Sequence, residues 1–143
     1  MRLSLVRNQL TEVPSDALII LKNLNQLDLS DNKITKLHRG IFEGGLYCIQ
    51  GKFYYYAAVS GLDKLDTLAM NHNQLTRLDA GDFEGLPRLT SLSLDYNKIT
   101  HIDNEAFRGL EGEWGPGHFS SLVCLIGQCN SCGLWIQQRV ADK

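Results

Sequence analysis

The chain is 143 residues long, with 43% hydrophobic and 21% charged positions, the composition of one ordinary globular unit. A net charge of -2 supplies no basic field to draw in phosphates or an anionic bilayer, so nucleic acid is not an expected partner. The opening twenty residues lack the basic start and apolar run of a secretory signal, and the most apolar window, 119–136, is broken by Ser120, Ser121, Gln128, Asn130 and Ser131, which argues against a membrane span.

From its first residues the chain is periodic. Aligning Asn8, Asn32, Asn73 and Asn97 brings Leu3, Leu27, Leu68 and Leu92 into one column, five positions before the asparagine. Leu5, Leu29, Met70 and Leu94 form a second column, and Leu10, Ile34, Leu75 and Ile99 a third. Val13, Leu37, Leu78 and Ile102 follow, then Leu18, Phe42, Phe83 and Phe107. The unit is 24 residues long, and the L-x-L alternation at its head is a strand with both leucines on one face. Because every unit makes the same turn, equivalent strands run the same way and stack as a parallel sheet about 4.8 Å apart.

Repeats 1 and 2 occupy residues 1–44. Asn8, Asn32, Asn73 and Asn97 fall where a strand ends and backbone groups lose their ladder partners. A carboxamide donates and accepts, so this column is read as a structural ladder. Phe42, Phe83 and Phe107 are read as a packed spine opposite the strands.

The period then fails. Asn32 and Asn73 lie 41 residues apart, one repeat and 17 residues more, so residues 45–61 are an insertion. Removing them leaves I-F-E-G-L-D-K-L-D-T-L, a near copy of the segment Asp82 to Leu92. The inserted text carries Tyr54, Tyr55 and Tyr56 in a row. It reads either as a rim loop whose tyrosines grip a partner or as a retained intron with pyrimidine-rich codons.

Repeats 3 and 4 occupy residues 62–110. A further unit would need aliphatic residues at 113, 116 and 118, where Glu113, Pro116 and His118 stand. Residues 111–143 therefore read as a non-repeat tail, unstructured or mis-translated. A zinc site from His118, Cys124, Cys129 and Cys132 is the weaker reading, because only one C-x-x-C pair is present. The four cysteines match no disulfide framework. No capping segment precedes Leu3, so Leu5, Leu10 and Leu3 itself are expected to face water, as in a fragment of a larger protein.

The segments LNQLDLSDNKITKLHRGIF (Leu24 to Phe42) and Leu65 to Leu110 resemble the "typical" leucine-rich repeat of extracellular animal proteins of the Slit, Toll and chaoptin kind. The resemblance implies an α/β-type leucine-rich repeat solenoid of about four repeats. A short curved parallel sheet would form its concave face, and irregular, 3-10 or short helical segments its convex face. It also implies a secreted or cell-surface adhesion or receptor protein, with an intracellular scaffold or regulatory subunit as the alternative, and membrane association only through flanking segments.

On that concave face the variable strand residues line up in columns. The expected partner-binding residues are Asp28, Ser30, Asp31, Lys33, Asn71, His72, Asp95, Tyr96 and Lys98, a mixed charged patch suited to a protein ligand or receptor. No nucleophile elbow, zinc-protease, P-loop or dinucleotide motif is present, and His38, His72 and His101 occupy different repeat positions. The sequence thus predicts no enzymatic activity, no cofactor or metal and no small-molecule substrate.

Overall fold

The structure is a computed structural model that describes residues 1–18, 20–42, 46–49, 52–55, 62–108 and 110, with the side chains of 46–49 and 52–55 excepted. In chain order the elements are β1 (Arg2–Ser4), α1 (Ser15–Leu18), β2 (Gln26–Asp28), β3 (Leu46–Ile49), β4 (Lys52–Tyr55), β5 (Thr67–Ala69), β6 (Arg77–Leu78), β7 (Ser91–Ser93) and β8 (His101–Ile102).

Strands β1, β2, β5 and β7 form one parallel sheet in that order, one strand from each of four coils. The register puts Leu3 beside Leu27, Leu27 beside Leu68 and Leu68 beside Leu92. Each of these leucines has the next coil's leucine as its neighbour, so the column becomes a continuous apolar row. Leu27, Leu68 and Leu92 are buried, and each such burial contributes about 1.5–3 kcal/mol. Leu3, Leu5 and Leu10 depart from their expected exposure: all three are half-buried, because the second coil covers one side of the first.

Opposite the sheet, Phe42, Phe83 and Phe107 stack nearly parallel, with centroids 6.4 and 5.7 Å apart. Leu18 is the buried residue at the same position of the first coil, where α1 supplies a single helical turn. Between spine and sheet, β6 and β8 form a second, two-residue parallel pairing. Long-range contacts of this kind repeat from coil to coil, so each coil is stabilised by its neighbours.

The inserted segment stands apart from this stacking. Its strands β3 and β4 pair antiparallel with each other, Tyr47 opposite Tyr54 and Cys48 opposite Phe53. Meanwhile β2 and β5, on either side of the insertion in sequence, are direct neighbours in the sheet. The Leu62 N–H donates to the Phe42 carbonyl at 3.3 Å, which brings the two ends of the insertion close together.

Candidate strand-face interface

Past each strand the backbone takes one left-handed step. Arg7, Asp31, His72 and Tyr96 have φ of 57°, 56°, 52° and 55°, a region that costs a non-glycine residue about 1–2 kcal/mol. Hydrogen bonds between coils hold it: Arg7 N–H donates to the Ser30 carbonyl, Asp31 N–H to that of Asn71 and His72 N–H to that of Asp95. At Asp31, His72 and Tyr96 this step turns the following residue, the repeat asparagine, toward the interior. The left-handed residue itself stays on the surface.

The asparagines then join coil to coil. Asn73 Nδ2 donates to the Met70 carbonyl of its own coil and to the Leu29 carbonyl of the coil before, while Oδ1 accepts the Ile34 N–H. Asn32 does the same with Leu29, Leu5 and the Leu10 N–H. Asn97 repeats it with Leu94, Met70 and the Leu75 N–H. Asn8 differs: it is exposed and bonds only the Leu5 and Val6 carbonyls of its own coil. Buried backbone groups left unpaired cost about 1–3 kcal/mol each, so the column fixes the solenoid's geometry and thereby its face.

On that face the structure brings some of the nine expected residues together and leaves others apart. The Asp28 carboxylate accepts the Ser30 N–H at 3.1 Å within its own coil. Asp31 pairs with Arg7 of the first coil at 3.6 Å, an exposed pair worth little to stability. Lys33 Nζ donates to Gln9 Oε1 at 3.0 Å, while Lys98 stands exposed in the same column.

Coils 3 and 4 hold the densest group. Asn71 Oδ1 accepts the Asp95 N–H at 3.2 Å, and Ser93 Oγ lies between Asn71 Oδ1 and Asp95 Oδ2, 2.5 and 3.1 Å away. Beside this network the rings of His72 and Tyr96 stack, centroids 4.2 Å apart and planes 6° from parallel. Tyr96 remains 60% exposed. Arg7 and Ser93 belong to these contacts although the residue types alone did not single them out.

Two features lie outside the face. Glu84 is nearly buried and is held by Arg39 Nε and Arg108 Nε, each at 3.0 Å, one guanidinium from either neighbouring coil. Asp82 is buried in the column of Ile41 and Ala106; its Oδ2 accepts the Asp79 N–H at 2.7 Å, and its Oδ1 has no partner among the described residues. Burial raises the Asp82 carboxyl above its ordinary value, and the Asp79 charge adds to this. The bond from Asp79 N–H and the charges of His38 and Arg77 oppose it.

Among the described residues no group of three or more His, Cys, Asp or Glu is placed to hold a metal, and no helix is long and apolar enough to cross a membrane. The tail, with the reading of a zinc site at His118, Cys124, Cys129 and Cys132, lies outside the described residues.

The family model described as "Leucine rich repeat" matches residues 1–44 and 63–112, well over half of the chain. The chain belongs to the leucine-rich repeat family. Two solved leucine-rich repeat structures share its coil. TLR13, in its complex with ssRNA13, matches at 27% identity and a TM-score of 0.61, over 75% of this chain and 13% of that one. Human 5T4, also called Wnt-activated inhibitory factor 1 or trophoblast glycoprotein, matches at 28% identity and a TM-score of 0.57, over 77% of this chain and 33% of that one.

This leucine-rich repeat chain therefore spans well under half the length of either relative. No curated protein matches it by sequence. TLR13 holds ssRNA in that complex, so the exclusion of nucleic acid expected from net charge is not supported.

Proposed function

We propose that this leucine-rich repeat segment recognises a protein partner through its strand face, as part of a secreted or cell-surface protein of the adhesion or receptor type. The observation that carries the reading is the exposed His72–Tyr96 stack set in a hydrogen-bonded polar surface. Tyrosine supplies large contact area at low entropic cost and is enriched among residues that dominate binding energy.

The charge pattern favours a protein over a polyanion. Asp28, Asp31 and Asp95 share the face with Lys33 and Lys98, and a phosphate backbone would meet the carboxylates as well as the lysines. The extracellular side of the proposal is supported by the 24-residue repeat with its phenylalanine spine and by likeness to a protein named a glycoprotein. Adhesion and receptor roles are carried from that class and not from any residue of the face.

The test is a binding screen of the full chain against a panel of extracellular proteins, followed by paired charge reversals. Lys33→Glu with Lys98→Glu is expected to weaken the partner found by about tenfold or more. Lys36→Glu with Arg88→Glu, both outside the face, is expected to leave it unchanged. The opposite pattern overturns the proposal.

A further inference from the structure

Asp95 is a carboxylate for which the described residues supply no cation. Its backbone N–H is fixed by Asn71 Oδ1, and its Oδ2 lies 3.1 Å from Ser93 Oγ. It is half-buried, so part of its hydration is already lost. Among the described residues it forms no ion pair, whereas Asp31 on the same face pairs with Arg7. The difference arises one column over: where coils 1 and 2 carry Arg7 and Asp31, coils 3 and 4 carry His72 and Tyr96.

Those two rings change what the site can take. The Tyr96 ring, next to Asp95 in sequence, is held parallel to His72 at 4.2 Å, and the residue as a whole is 60% exposed. Its backbone is fixed in the left-handed region at φ 55°. A ring held on one side and open on the other is a ready stacking surface, because little rotamer freedom is left to lose on binding.

We propose that coils 3 and 4 take an arginine side chain of the protein partner, with Asp95 as its carboxylate and the open part of Tyr96 as its stacking surface. This rests on the strand-face reading above and names the chemistry of its anchor. A guanidinium is planar, offers parallel N–H donors to a carboxylate and stacks on aromatic rings; an ammonium does only part of this. Lys98 and Lys33, in the column on the other side of the rings, repel the incoming cation from that direction and leave Asp95 as its place. Charge complementarity and ring geometry thus agree on one occupant.

The probe is acetyl-Gly-Arg-Gly-amide titrated into the full-length chain, followed by residue-resolved NMR, with the lysine and citrulline versions as controls. The expected result is saturable shifts centred on Asn71, Asp95 and Tyr96, about tenfold weaker for lysine and weaker still for neutral citrulline. Asp95→Asn is expected to weaken the arginine peptide by about tenfold. Tyr96→Asn, whose side chain tolerates the left-handed backbone, should reduce the preference for arginine over lysine. The same spectra show that each variant is folded.

Equal binding of the arginine and lysine peptides, or an arginine titration unchanged by Asp95→Asn, overturns the arginine site. Such a failure leaves the wider reading standing if the Lys33 and Lys98 reversals still weaken partner binding. Loss of both results removes the strand face itself.

Discussion

Asn73 Oδ1 accepts a hydrogen bond from the Ile34 backbone N–H at 3.0 Å, across 39 residues of sequence and past the whole insertion. The same side chain donates to the Leu29 carbonyl at 3.0 Å. Coils 2 and 3 are therefore sewn together as tightly as coils 1 and 2 or coils 3 and 4, and the extra residues leave the stacking rule intact.

Asn73→Ala leaves the Ile34 N–H and the Leu29 and Met70 carbonyls without that partner inside the solenoid. Asn32 and Asn97 still serve those two carbonyls, so the orphaned Ile34 N–H sets the expected loss, about 1–3 kcal/mol in urea denaturation. Asn8→Ala, at an exposed position that bonds only its own coil, is expected to cost under about 1 kcal/mol. Equal losses at the two positions would show that the ladder does not work between coils.

Gly81 has φ +77°, and a Cβ there would lie 2.9 Å from Glu84 Cδ. Glu84 cannot swing away freely, because Arg39 and Arg108 hold its carboxylate from both sides. Gly81→Ala is expected to destabilise the chain by about 2 kcal/mol or more, about 1–2 of it from the backbone alone. In a Glu84→Ala background only the backbone part should remain, a coupling that a double-mutant cycle reads directly.

Asp82 gives the stability a specific pH dependence. Its carboxyl is raised above 3.8 in the folded chain, chiefly by burial, so the folded state binds that proton more tightly than the unfolded state. The resulting contribution is complete below the ordinary value and is lost as pH rises through the raised one. Asp82→Asn removes the titration. The stability of the parent chain relative to this variant should therefore fall over the interval from the ordinary value of 3.8 up through the raised one. A relative stability that is flat or rises over that interval contradicts the assignment.

Deleting residues 45–61 joins Gly44 to Leu62 and recreates the spacing Phe-Glu-Gly-Leu found from Phe83 to Leu86. Because Leu62 already bonds the Phe42 carbonyl, the shortened chain is expected to unfold cooperatively and with no loss of stability, a shorter connection being cheaper to close. Failure to fold would make the inserted hairpin part of the core.

The stacked coil was legible because its core is written once per repeat: Leu27, Leu68 and Leu92 recur at one position and become neighbours in one row. The face was legible only as columns. Nothing in Arg7, Asp31, His72 or Tyr96 signals a left-handed backbone, since none is glycine; at Arg7, Asp31 and His72 bonds to the next coil hold it. In the bridge from Arg39 through Glu84 to Arg108, Glu84 and Arg108 share a repeat position while Arg39 stands at another, so alignment by column shows only half of it. Asp82 belongs to no column of the repeat's consensus, and its burial, with an oxygen unpaired among the described residues, shows only in the fold. The pairing of Leu46–Ile49 with Lys52–Tyr55 leaves no column signal, because these strands form their own two-stranded sheet outside the repeat.

The most direct measurement is the set of interstrand backbone NOEs in the full-length chain, which report which strands lie side by side. Contacts of Leu27 with both Leu3 and Leu68, and of Leu68 with Leu92, are the predicted result. Contacts that join Leu27 to the inserted strands, or none between Leu27 and Leu68, would contradict a continuous four-coil face and every site placed on it.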